Sequence, residues 1–205
     1  GSAMLGSCTA PRFDTVFWVF QSGGVHGGLA RRAPGETTPS PVLSDLHDPW
    51  DLEQNGPWLY FSTLNDAVEP RAIHRYHLEN QTVETVFETG LEVNDFTVSD
   101  DAVYYTTNLG LSRYAFALGT VEALADGSFI SYGVARTDGA VYFTDMGGAA
   151  NDGRIRRYDL ESGAVADVAS GQDWPRHVAA DAGCVYWTNQ SQAGSSGGSV
   201  MRGPR

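Results

Sequence analysis

The sequence predicts an all-β fold, a five-bladed β-propeller of mostly four-stranded antiparallel blades. Three observations predict it. A short aromatic strand recurs five times, as VFWVF (16–20), LYFST (59–63), VYYTT (103–107), VYFTD (141–145) and VYWTN (185–189). The copies start 43, 44, 38 and 44 residues apart, and a period near forty built from strands marks a propeller. Each interval also holds the same series of strands and turns, with no helical segment.

Each repeat begins with an inner strand. A tight turn follows, as Asn55-Gly56-Pro57, Ser99-Asp100-Asp101, Thr137-Asp138-Gly139 or Asp181-Ala182-Gly183, the residue chemistry of hairpins. The aromatic strand is second. Third strands are expected at 29–32, 73–76, 111–114, 155–158 and 200–203, aligned on Arg31, Arg75, Arg113, Arg157 and Arg202. Fourth strands are expected at 42–43, 83–87, 121–125 and 165–169. The Arg column reads as structural, each guanidinium held by blade backbone or a nearby carboxylate. Phe17, Tyr60, Tyr104, Tyr142 and Tyr186, one step into each aromatic strand, read as core.

Residues 1–4, GSAM, read as a cloning remnant. Residues 5–205 read as one propeller domain, with repeats at about 6–48, 49–92, 93–130, 131–174 and 175–205. The fifth repeat has no fourth strand in this sequence. The blade is then three-stranded, or completed by further residues, or completed by another chain as a homodimer through the open edge.

Composition bounds the function. Apolar content of 41% and aromatic content of 11% suit a folded domain with a real core. A net charge of −12 argues against nucleic acid and anionic membranes as partners, since both need a positive surface. No apolar run approaches the roughly 20 residues of a membrane span. All 13 basic residues are Arg, which is associated with GC-rich bacterial genomes. Leu5-Gly6-Ser7-Cys8 resembles a bacterial lipobox, although a strand begins at once where a lipidated Cys would have a tether. A bacterial, secreted or periplasmic protein is expected. Cys8 and Cys184 are expected not to form a disulfide, since they fall at opposite ends of such strands. Asn80 and Asn189 lie in glycosylation sequons, and 191–199 is a Gly/Ser-rich loop. His74 and His77, three apart on a strand, face opposite sides and form no metal pair.

Tyr142-Phe143-Thr144-Asp145, Ile155-Arg156-Arg157-Tyr158-Asp159-Leu160 and Pro175-Arg176-His177-Val178-Ala179-Ala180-Asp181 resemble the YWTD-type repeats of low-density-lipoprotein-receptor propellers. They also resemble NHL repeats, whose inner strand reads roughly P-x-G-hydrophobic-A-V-D. The resemblance covers residues 6–205. It implies the fold and leaves function open, because such propellers include adhesion modules, lactonases, lyases and phosphotriester hydrolases. Those rings commonly have six blades, whereas five repeats are counted here.

Counting eight residues back from each aromatic strand gives Cys8, Asp51, Asp95, Gly133 and His177. The resemblance makes this the small Gly position of the inner strand. The next column, Thr9, Leu52, Phe96, Val134 and Val178, is a packing position. Cys8, Asp51, Asp95 and His177 therefore read as one polar centre at an axial mouth. As ligands they would suit a divalent metal such as zinc, whose bound water could supply a hydroxide. Without a metal, His177 could deprotonate Cys8, with Asp51 or Asp95 orienting the imidazole. Asn94-Asp95 resembles the pair that supplies calcium ligands in gluconolactonase-like propellers, and Asp51, Asn94 and Asp95 offer calcium the oxygens it prefers. A merely water-filled channel fits the same column. Trp50, Tyr132 and Trp174 are candidate walls of a pocket, with Asn94 and Arg176 as polar contacts. The reading favoured by the column is a small-molecule hydrolase of ester, lactone or phosphotriester type. The alternative is a non-catalytic ligand- or protein-binding propeller module.

Overall fold

The computed structural model describes residues 4–9, 15–22, 26–64, 69–127, 130–190 and 197–205, with side chains from residue 15 onward. The described residues contain strands and turns, and no helix. They form five antiparallel sheets in two compact units, residues 1–93 and 94–205.

The first unit holds two four-stranded meanders. One is β1 (Met4–Thr9), β2 (Val16–Gln21), β3 (His26–Arg32) and β4 (Ser40–His47). The other is β5 (Pro49–Asn55), β6 (Trp58–Thr63), β7 (Ala72–His77) and β8 (Val83–Glu88). Strand alternation sends Phe17, Val19 and Leu29 of the first sheet against Leu52, Leu59, Phe61 and Tyr76 of the second. Asn55 and Trp58 flank the tightest turn of this unit, and Gly56 has the left-handed φ of 57° that the turn needs.

The second unit holds three sheets. They are β9 (Asp95–Val98) to β12 (Thr120–Asp126), β13 (Val134–Thr137) to β16 (Val165–Gln172), and β17 (Pro175–Ala180) to β19 (Ser199–Pro204). The intervening strands are β10 (Ala102–Thr107), β11 (Gly110–Ala115), β14 (Ala140–Asp145), β15 (Gly153–Asp159) and β18 (Cys184–Asn189). Tyr104, Leu111, Val134, Val141 and Phe143 form one layer of core, and Tyr142, Ile155, Val178, Val185 and Trp187 form the next. β14 thus feeds both layers, Val141 and Phe143 from one face and Tyr142 from the other. The third sheet has three strands, and Val200 on its last strand is 78% exposed.

The aromatic column behaves as expected at four positions. Phe17, Tyr60, Tyr104 and Tyr142 are buried, but Tyr186 is only half-buried. Tyr186 points away from the layer that Val185 and Trp187 enter. Its hydroxyl bonds Asp181 Oδ2 at 3.1 Å instead.

The Arg column pairs with carboxylates in four of five repeats. Arg75 meets Glu84 at 2.6 Å, Arg113 meets Glu122 at 2.7 Å, Arg157 meets Asp159 at 2.8 Å and Arg31 meets Glu36 at 3.7 Å. Arg202 instead donates to the Cys184 sulfur at 3.0 Å. Each Arg also lies directly across from the aromatic of its repeat, as in Tyr104↔Arg113 and Tyr142↔Arg157.

Candidate functional site

The polar column divides between the two units. Cys8 and Asp51 belong to the first, and Asp95 and His177 to the second.

In the first unit, counting eight back fails for Cys8. Asp95 stands opposite Thr106, the fourth residue of its aromatic strand. Cys8 stands opposite Phe17, the second residue of its own, and the fourth, Val19, pairs with Leu5. The cause is the hairpin. Val16 pairs with a residue seven positions back, Thr9, whereas Leu59, Val103, Val141 and Val185 pair with residues five back. Two extra residues in the first connection move Cys8 along the strand by roughly 7 Å. Cys8 therefore takes the register position of Glu53, Thr97, Ala135 and Ala179. Its backbone is part of β1, and its side chain lies outside the described residues. Cys184 is a free thiol.

Asp51 keeps its column position, in a bulge where Trp50 and Asp51 together face Ser62. Its N–H donates to Ser62 Oγ at 3.2 Å, and its Oδ1 accepts the Leu52 N–H at 2.8 Å. Trp50 is half-buried beside it.

Asp95 has a more defined role. Its Oδ1 accepts the N–H of Phe96 at 2.9 Å, and its Oδ2 accepts the N–H of Val134 at 2.9 Å. Val134 opens the inner strand of the next sheet, so the carboxylate joins two neighbouring inner strands. Charge-assisted bonds of this kind are among the stronger ones in a protein. Asn94 repeats the pattern, with Nδ2 donating to the Ser131 carbonyl at 2.8 Å. At the next repeat the column residue is Gly133. A Cβ there would meet the Arg176 carbonyl oxygen at 2.6 Å, the Val178 nitrogen at 2.7 Å and the His177 Cα at 2.8 Å. Glycine is required because the following inner strand passes too close for any side chain.

A further set of residues was not singled out by the sequence reading. These are the hydroxyls at the fourth place of the aromatic strands, Ser62, Thr106, Thr144 and Thr188. Thr144 Oγ1 accepts the N–H groups of Gly133 at 2.8 Å and Tyr132 at 3.1 Å. It lies 3.4 Å from the Arg176 carbonyl of the next repeat. Thr106 Oγ1 donates to the Tyr132 carbonyl at 2.8 Å, and Thr188 Oγ1 accepts the His177 N–H at 3.2 Å. A β-branched hydroxyl suits this place, since it fits a strand and supplies one donor and an acceptor. The signal was visible as the T of each VYWT-type copy; Val19 interrupts it in the first repeat.

Around His177 the second unit presents an open polar and aromatic surface. His177 is exposed. The Arg176 guanidinium lies 3.8 Å from the centre of the Tyr132 ring, a close cation–π contact. Arg176 Nε also donates to Gln190 Oε1 at 2.6 Å. Trp174 is half-buried, with a left-handed φ of 52° and an indole N–H that meets no acceptor among the described residues. A bulky residue in that conformation just before a proline is a strained position. No group of three or more His, Cys, Asp or Glu side chains is placed to hold a metal ion among the described residues.

The fold recurs in solved structures. A chain of a nidogen/laminin complex superposes with a TM-score of 0.72 at 13% identity, covering 91% of this chain and 72% of that one. TolB from Acinetobacter baumannii superposes with a TM-score of 0.67 at 15% identity, covering 87% of this chain and 48% of that one. The chain has a β-propeller repeat fold. At these identities the likeness concerns fold alone. No protein-family model matches the sequence, and no curated protein matches it. No helix is long and apolar enough to cross a membrane among the described residues.

Proposed function

We propose that this protein is a non-catalytic binding module that recognises a partner protein through the mouth surface of its second unit. The observation that carries this reading is the Arg176–Tyr132 stack at 3.8 Å, beside exposed His177 and strained Trp174. Aromatic and Arg side chains are the usual anchors of protein interfaces, and Arg176 gives the surface a cation suited to an acidic segment. The chain in the nidogen/laminin structure with the same fold is part of a protein complex, which agrees with this use of the scaffold.

The hydrolase reading draws less support. Both Asp95 oxygens already accept backbone N–H groups, and a base or metal ligand at that place would compete with them. The two-residue displacement of Cys8 takes it out of the register position of Asp51, Asp95 and His177. Zinc, calcium, a small-molecule substrate and a homodimer through β19 remain proposals of that alternative, and a secreted or periplasmic setting belongs to either reading.

Peptides selected from a display library on the wild-type protein test the binding reading. They should lose affinity by roughly tenfold or more for Arg176→Ala and Tyr132→Ala, the cost of an interface hot spot. They should bind Val121→Ser unchanged, since Val121 is an exposed residue of an outer strand. Equal affinity for all variants would overturn the assignment of this surface.

A further inference from the structure

The Arg column differs between repeats in what stands across from it on the fourth strand. Glu84 faces Arg75 and Glu122 faces Arg113, and both ion pairs are closed. Across from Arg157 the residue is Ala166. Beside Arg157 lies an open surface pocket of about 560 Å³, lined by Tyr142, Arg157, Ala182, Gly183 and Arg205. The first unit repeats the relation. Ser40 faces Arg31, and both line a cavity of about 630 Å³. A missing cross-strand carboxylate therefore coincides with open space beside the Arg in each unit.

The cavity of the second unit carries an independent mark. Tyr142 is fully buried at 0% exposure, and its hydroxyl finds no acceptor among the described residues. Its polar neighbour is the Arg157 guanidinium, which can only donate. A buried donor without an acceptor is rare and costly. Arg157 uses Nη2 for Asp159, which keeps further N–H groups for another acceptor. Arg205 Nη1 reaches only long contacts, 3.5 Å to the Asp181 carbonyl and 3.4 Å to that of Ala182. The nearby Asp181 carboxylate is occupied by the N–H groups of Gly183 and Cys184 and by the Tyr186 hydroxyl.

We propose that the cavity bounded by Tyr142, Arg157 and Arg205 binds an anionic oxygen group, the carboxylate or phosphate of a small molecule. The two guanidinium groups supply planar donors that match such oxygens. Tyr142 lines the same pocket and carries a buried hydroxyl without an acceptor among the described residues. Asp159 occupies one side of the Arg157 guanidinium, and the ligand takes the N–H groups that Asp159 leaves. The site lies at the turn ends of the strands, beside the turn at Ala182 and Gly183, and is separate from the surface at Arg176. It stands or falls independently of the binding role proposed above.

Calorimetric titration with inorganic phosphate and, separately, with citrate tests the proposal. The wild-type protein should bind at least one of them saturably; which is preferred distinguishes a phosphoryl from a carboxylate ligand. Arg157→Gln should weaken that binding roughly tenfold or more, the size of one lost charge-assisted hydrogen bond. Arg205→Gln, at an exposed position, should weaken it as well and guards against misfolding of the first variant. Tyr142→Phe should weaken it severalfold while leaving the unliganded protein at least as stable as wild type. Arg113→Gln should leave the affinity unchanged. The proposal is overturned if neither anion binds saturably, or if Arg113→Gln weakens binding as much as Arg157→Gln.

Discussion

Replacing Asp95 by Ala should destabilise the protein by about 3 kcal/mol, because two hydrogen bonds to a charged acceptor disappear at once. One of them leaves the N–H of Val134 without its acceptor, and Val134 is only 6% exposed. The other is the Phe96 N–H, on a residue 2% exposed. For a chain of this size the loss corresponds to a fall of roughly 6–12 °C in the melting temperature. Asp95→Asn keeps one acceptor oxygen and should lose about half as much. Urea unfolding followed by tryptophan fluorescence measures both variants against wild type. A residue kept for catalysis behaves differently, since its removal is often neutral or stabilising. If Asp95→Ala is as stable as wild type or more so, the carboxylate is not a structural tie between inner strands, and the reasoning from its hydrogen bonds fails.

Thr144→Val should cost about 1–3 kcal/mol by orphaning the N–H groups of Gly133 and Tyr132, and Thr144→Ser should recover most of it in the same unfolding assay. Gly133→Ala should cost roughly 1–3 kcal/mol, because its Cβ would press on backbone of the following strand; near-wild-type stability would show that this strand can yield. Burial lowers the pKa of His74 below the ordinary His value, with Glu69 and Glu88 opposing the shift in part. A base depressed in the folded state contributes stability above its unfolded pKa and loses it as pH falls. Stability should therefore drop from pH 8 to pH 5, and His74→Gln should flatten that drop. Phe143→Ala, at a site with 0% exposure, should cost about 3–5 kcal/mol.

The repeat could be read directly because the aromatic strand is both hydrophobic and regularly spaced. In β6, β10 and β14 both faces of that strand are buried, which holds the pattern to apolar and small residues. The Arg column was legible for the same reason, and carboxylates answer it in four repeats. The polar column was only partly legible. Position 133 is glycine because a neighbouring strand passes there. The bond from the Val134 N–H to Asp95 at the same place was not legible, since a one-dimensional pattern cannot show what the next strand offers. Cys8 was misplaced because counting assumed equal hairpins, and the first hairpin is two residues longer. The Thr tie between repeats was in plain view but read as part of a strand motif. Tyr186 departs from the aromatic rule, half-buried with its hydroxyl bonded to Asp181, and strand periodicity does not encode that difference.

Turnover is the most direct test of the central claim that the mouth surface binds and does not catalyse. The measurement is steady-state hydrolysis of chromogenic ester, lactone and phosphotriester substrates, with zinc and with calcium supplied, by wild type and His177→Ala. The account predicts the same background rate for both proteins. Saturable turnover by the wild type that disappears in His177→Ala would contradict it.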